Sequence, residues 1–230
     1  MVNTLPRPQR PLTNTPTWWT WRRRSPGGPW PWYRVYHKGE HTPDGVTHRT
    51  FGPRLRLDHH TGDFKAPAVC LDGRSVLYVA RNLSVALGEV FGERNIARIC
   101  PNHRVALVEP TTDLHLVDLN SQGACMRIGA LPSLGTGAYA RRRTQAWARA
   151  LWEDTAPPAQ AHPHGAYYQA AYSGGRSLAL WNTDGQVATV LGAAGIPQDF
   201  ALHDIWNRVV VALDALGLAA EQRDTCGCRH

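Results

Sequence analysis

Four residues stand out for the chemistry they can do: Arg34 at the start of YRVY, Arg56 ahead of the acid in RLD, Tyr78 in the apolar run LYVA, and Glu89 eleven residues further on. Arginine forks onto phosphate oxygens and a carboxylate answers positive charge, so these residue types belong to anion binding and charge stabilisation. Glu89 has the most telling setting. In LSVALGEVFGER, Leu83, Ala86, Leu87, Val90 and Phe91 fall at i, i+3, i+4, i+7 and i+8, the stripe of a helix packed on a core. The other side holds Val85, Gly88, Gly92 and a single acid, Glu89. Each glycine costs a helix about 1 kcal/mol relative to alanine. That face therefore needs room, for a substrate or for an adjoining strand.

The elements that must position these residues follow from the pattern around them. WYRVY (32–36) predicts a short strand and SVLYVA (75–80) a buried one, running directly into the Glu89 helix with Asn82 or Ser84 as N-cap. RVALVEP (104–110) and DLHLVDL (113–119) read as two further strands, and residues 139–153 as a helix stopped by Pro157 and Pro158. HGAYYQAAYSGGRSLALW (164–181) reads as a hairpin turning at Ser173, Gly174 and Gly175. A last amphipathic helix carries Leu202, Ile205, Trp206, Val209, Val210, Leu213 and Leu216 on one face, with Gly217 as its stop. Strands and helices mix without a βαβ rhythm, which predicts an α+β fold in a single domain. Three segments are expected: an arm over 1–31, the domain over 32–217 and a tail over 218–230.

Composition narrows the classes. With 43% hydrophobic and 19% charged residues the chain is that of a folded protein, and no apolar run reaches the ~18 residues that span a bilayer. Without the apolar segment of a secretion signal near its start, it is expected to be cytoplasmic, with no membrane partner. The whole net charge of +7 sits at the front, since residues 1–56 carry +8 and the remainder −1. Such a block can meet nucleic acid, an acidic protein or the phosphates of a small ligand. PTWWTWRRRSPGGPWPW holds five of the nine tryptophans. Its prolines argue against regular structure, but its aromatic surface argues for packing on the domain or on a partner.

Several site types are excluded. No Gly-x-Gly-x-x-Gly opens a helix after a strand, and no Walker loop or Gly-x-Ser-x-Gly elbow is present. Five cysteines make no disulfide framework. Cys226, Cys228 and His230 in CGCRH could ligate a metal, but a lone Cys-x-Cys lacks a second pair at zinc spacing, so a frayed tail and no metal are expected. His59 and His60 read as polar surface.

The order YRVY, FGPRLRLDHH, VLYVARNLSVALGEVF and HGAYYQAAYSGGRSLALW resembles the RES domain, a family named for an arginine, a glutamate and a serine, over about residues 32–182. The resemblance implies an ADP-ribosyltransferase-like fold of split mixed sheets with flanking helices. It also implies a toxin that degrades NAD+ by hydrolysis or phosphorolysis, restrained by an Xre-type antitoxin. NAD+ would be the substrate, with inorganic phosphate as a candidate co-substrate and no other cofactor. Nucleic acid would be met only through the antitoxin, and a homodimer is compatible with the family.

Carried across residue by residue, Arg34 matches the first family arginine, Arg56 stands where the family writes Arg-Phe-Asp, and Tyr78 and Glu89 match the tyrosine and glutamate of the strand and helix. The serine does not carry over. The family's Tyr-x-Ser falls on Tyr168, Gln169 and Ala170, and the nearest hydroxyl, Ser173, lies in the predicted turn.

Cleaving the bond between nicotinamide and ribose passes through an oxocarbenium-like state with a good leaving group. On the family reading Glu89 stabilises that charge, Arg34 and Arg56 hold the pyrophosphate, Tyr78 stacks on the nicotinamide or positions it, and a water or Tyr168 substitutes for the missing serine. The face around Glu89 is then a pocket wall. Two alternatives stay open: a mono-ADP-ribosyltransferase acting on a host protein, and a catalytically impaired binding module.

Overall fold

The computed structural model describes residues 4–23, 31–137, 140–157, 160–190, 198–199 and 203–227. In chain order come β1 (Trp18–Trp21), β2 (Trp32–His37), β3 (Phe51–Gly52), β4 (Ala68–Val69), β5 (Val76–Ala80) and helix α1 (Leu83–Phe91). β6 (Ile96–Ile99), β7 (His103–Pro110) and β8 (Leu114–Asp118) follow. Three helices, α2 (Ala124–Arg127), α3 (Ser133–Thr136) and α4 (Arg141–Asp154), lead to the hairpin of β9 (Gly165–Gln169) and β10 (Arg176–Trp181). Last come β11 (Val187–Thr189), β12 (Gln198–Asp199), α5 (His203–Asp214) and β13 (Ala219–Gln222).

The main sheet runs β1-β8-β9-β10-β5-β2-β7-β11, with β12 also on β7, and two small pairs, β3 with β4 and β6 with β13, stand beside it. Only β8 and β9 pair in parallel within the main sheet, so it is mixed. It curls. Trp21, Leu114 and Leu116 from one end share a core with Val187 and Val108 from the other and with Trp32, Leu77, Val79 and Leu178 between them. The outer face is covered in two blocks. Trp147, Ala148 and Leu151 of α4 pack with Val117, Tyr168 and Trp181, while Val85, Leu87 and Phe91 of α1 pack with Val209 and Leu213 of α5. This is a single α+β domain.

The N-terminal arm departs from the expected irregular structure. Trp18–Trp21 pairs antiparallel with β8, because four consecutive non-proline residues leave the backbone free to complete an edge. Trp19 stacks on Tyr167, with ring centroids 4.5 Å apart. Leu5 is 1% exposed, and the Trp147 indole donates to the Pro6 carbonyl at 2.8 Å. The arm thus covers its own domain's core.

Helix α1 begins where its sequence says it should, with Asn82 as N-cap accepting from the Val85 N–H at 2.9 Å. Its burial is wider than one stripe. Val85 and Gly88 are buried along with Ala86, Leu87 and Phe91, whereas Val90 is 44% exposed. The helix lies between the sheet, α5 and the turn of the β9–β10 hairpin, so its apolar sector is set by three neighbours. In α5, Val209 and Leu213 are fully buried and Val210 turns outward; Leu202 lies outside the described residues. Among the described residues no helix is long and apolar enough to cross a membrane.

Candidate functional site

Glu89 projects from the last turn of α1 towards the seam between the two outer blocks, where β9 ends. Its Oε1 accepts the Ala171 N–H at 2.9 Å. Burial pushes its carboxyl above the ordinary glutamate range, and the Arg56 charge, the Ala171 and Tyr172 N–H groups and the Tyr168 hydroxyl offset this only in part. The bare face of α1 has a definite occupant. A methyl at Gly92 would strike the Gly88 carbonyl and the Tyr172 ring, with Tyr172 Cβ 2.6 Å away, and one at Gly88 would press on Leu216 at 3.3 Å. From the opposite side Gly175 accommodates Val85, whose Cγ2 stands where a Cβ would be. Of the two expected uses of that room, the adjoining hairpin accounts for the glycines. The pocket-wall reading is corrected: tight hairpin packing, which presents the Ala171 N–H to Glu89, replaces open space.

Arg56 reaches the same seam from the loop between β3 and β4. Its guanidinium donates to the Gly137 carbonyl at 2.9 Å and the Gln169 carbonyl at 2.7 Å, and lies 4.8 Å from the centroid of the Tyr168 ring. Tyr168 is 2% exposed, and burial together with the Glu89 charge drives its phenol far above the ordinary value. Glu89, Arg56 and Tyr168 therefore form one electrostatic unit.

The register of the hairpin adds a residue that sequence reading passed over. Ser177 of β10 sits opposite Tyr168 on one side and opposite Ala80 on the other. Its Oγ is buried without a well-formed hydrogen bond, yet close enough to the Tyr168 phenol to hold its pKa down against burial. Ala170, at the place of the family serine, packs in the α1 core. The usable signal was the alternation Ser177, Ala179, Trp181, which puts the hydroxyl on the outer face.

Tyr78 shares that face but faces another acid. Its hydroxyl donates to Asp58 Oδ1 at 2.7 Å, and burial with the Asp58 charge raises its phenol well above the ordinary value. Asp58 is fully buried and also accepts from Arg49 through both oxygens, at 2.8 and 2.7 Å, and from the N–H groups of Arg54 and Leu55. Burial alone would raise the Asp58 carboxyl, but these donors hold it below the usual range. The loop histidines expected at the surface are buried as well: His59 bonds Asn182 at 3.0 Å, and burial pulls its pKa down to about 3.

Arg34 stands apart from the Glu89 unit, against expectation. Pairing of Tyr33 with Ala80 puts Tyr33 on the outer face, so alternation sends Arg34 to the inner one with Trp32 and Tyr36. There it donates to the Thr47 carbonyl at 2.9 Å, packs over the Tyr36 ring, and burial lowers its pKa to about 10. A cavity of about 350 Å³ beside Trp152, His162 and Trp181, at the far end of β10 from Ser177, contains none of these residues.

A curled mixed sheet, flanked by a helix that sets a half-buried glutamate beside an arginine and a tyrosine, defines a single-domain α+β protein. The model of the RES domain matches residues 31–204, and the chain belongs to that family. Among curated proteins and solved structures nothing matches the chain. Membership places it, at the family level, among NAD+-acting proteins associated with toxin–antitoxin systems.

Proposed function

We propose that this protein cleaves the nicotinamide–ribose bond of NAD+, with Glu89 as the group that answers the charge developing on the ribose. The supporting observation is the position of Glu89: a carboxylate held by a backbone N–H beside Arg56 and Tyr168, yet kept uneasy by burial. A carboxylate that its surroundings under-stabilise gains most when a cation forms next to it, which lowers the barrier and not merely the ground state. Arg56 is fixed by two carbonyls over Tyr168, so it orients the acid and tyrosine and has N–H groups left for an anionic substrate. Ser177 takes the place of the family serine by steadying the Tyr168 phenol. Arg34 plays no part beside Glu89. Nicotinamide leaves as a neutral base, and water yields ADP-ribose and a proton while phosphate yields ADP-ribose 1″-phosphate. An Xre-type antitoxin is the proposed partner, by family association.

Incubating the purified protein with labelled NAD+, with and without phosphate, tests this. Free ADP-ribose or its phosphate is expected, and Glu89→Gln should lower the rate by about 10² to 10³. Activity should also fall on acidification at a pH above the ordinary glutamate value, because protonation removes the charge. Label transferred to protein would replace this reading with ADP-ribosyl transfer, and intact NAD+ at high protein concentration would leave a binding module.

A further inference from the structure

Outside the unit of Glu89, Arg56 and Tyr168, three segments distant in sequence bring soft metal donors together. His37 ends β2, Cys100 follows β6, and Cys226 lies four residues beyond β13. Parallel pairing of β13 with β6, extended by the Arg223 N–H to the Ile99 carbonyl at 2.8 Å, carries Cys226 back alongside Cys100. His37 Nε2 and Cys226 Sγ are 3.1 Å apart, and one donor atom from each of the three residues lies within 4.8 Å of the others. Zinc bond lengths of ~2.0–2.3 Å place neighbouring donors of a tetrahedral site about 3.3–3.8 Å apart. The donor separations, 3.1 Å for His37 to Cys226 and at most 4.8 Å overall, bracket that spacing, and Cys226 is exposed and His37 half-buried.

A supporting shell is present too. His103 faces His37 across the β2–β7 pair, its ring edge-on at 5.2 Å. Its Nδ1 accepts the Cys100 N–H at 3.1 Å and lies 3.3 Å from the Cys100 sulfur. That nitrogen holds the Cys100 backbone and sulfur in place beside His37.

We propose that His37, Cys100 and Cys226 form a site for a soft divalent cation of the zinc class, clipping β13 and the segment after it to the main sheet. Two thiolates and a neutral imidazole suit zinc and disfavour magnesium or calcium, whose ligands are oxygens. The thiol protons are released on binding. An imidazole in the triangle distinguishes this arrangement from a simple pair of thiols poised for oxidation. Cys228, two residues further on, lies outside the described residues and is not counted.

Cobalt(II) titration of the reduced, chelator-stripped full chain tests the site. One equivalent should give an intense thiolate-to-cobalt charge-transfer band, and zinc(II) should displace it and raise the melting temperature by mass action. His37→Gln, Cys100→Ser and Cys226→Ser should each weaken binding at least about 100-fold, since even outer-shell losses cost 10- to 100-fold. Loss of NAD+ turnover has no bearing on this readout. A band that survives both His37→Gln and Cys100→Ser would assign the metal to the tail alone and overturn the proposal. So would absence of the band at equimolar cobalt together with a Cys100–Cys226 disulfide on mild oxidation.

Discussion

Asp58 and Glu89 are two carboxylates in matching company. Each faces an arginine and a tyrosine: Arg49 and Tyr78 for the first, Arg56 and Tyr168 for the second. Their pKa values nevertheless move in opposite directions, down for Asp58 and up for Glu89. The difference lies in how the donors are spent. Arg49 gives its Nη2 to both oxygens of Asp58, while Nη1 donates to the Phe51 carbonyl, and two backbone N–H groups and a phenol complete the shell. Arg56 gives its bonds to the carbonyls of Gly137 and Gln169 and acts on Glu89 through its charge alone. Asp58 is satisfied and holds a loop. Glu89 is left with charge that a substrate can use, and carboxylates whose environments separate their pKa values mark distinct roles.

The two carboxylates differ most in what they do for stability. Asp58→Asn removes the negative partner of a buried Arg49 contact and should cost about 3–5 kcal/mol in denaturant unfolding. Glu89→Gln should leave stability at neutral pH unchanged or raised. The signs follow from linkage. Asp58, with its folded pKa lowered, contributes stability that is present above its unfolded pKa and lost as pH falls through the folded one. Glu89, with its folded pKa raised, contributes stability only on the acid side and loses it as pH rises through the folded value. The gap between wild type and Glu89→Gln should therefore close on acidification. Equal losses in the two variants at neutral pH would erase the distinction.

Much of this was legible in sequence because it is local. The Asn82 cap, the β5 strand and the α1 helix follow from residues within one or two turns of each other, and Glu89 was singled out by its glycines. What the glycines were for was not local. Tyr172 and Leu216, which fill that space, lie 80 or more residues away from Gly92 and Gly88. The family resemblance groups Arg34 with Glu89, and the order of residues along a chain is silent on which side of a sheet a strand residue faces. Pairing to β5 decides that, as it does for Ser177. The β6–β13 pair joins segments more than 100 residues apart, and neither short strand carries enough alternation to announce itself.

Gly92→Ala acts on Glu89 from the hairpin side. The added methyl meets Tyr172 and pushes the turn, and with it the Ala171 N–H, off Glu89. Overpacking of this kind costs about 1–3 kcal/mol. The Asp58 shell, built from a different loop, should be untouched, so NAD+ turnover should fall further than the stability loss accounts for. A loss of stability with full activity per folded molecule would mean that Ala171 does not position Glu89.

The smallest expected effect is also the most discriminating. Ser177 Oγ is buried without a well-formed hydrogen bond, so Ser177→Ala should leave stability unchanged or slightly raised. If the hydroxyl steadies the Tyr168 phenol towards Glu89, its loss lets that phenol turn away, and about 1 kcal/mol, or roughly fivefold to tenfold in kcat, should disappear. Glu89 then loses a donor to its charged form, so the acid limb of the pH profile should move to higher pH while KM holds. A purely structural serine would alter neither kcat nor the limb, and the substitute for the family's third signature residue would have to be sought elsewhere on the outer face.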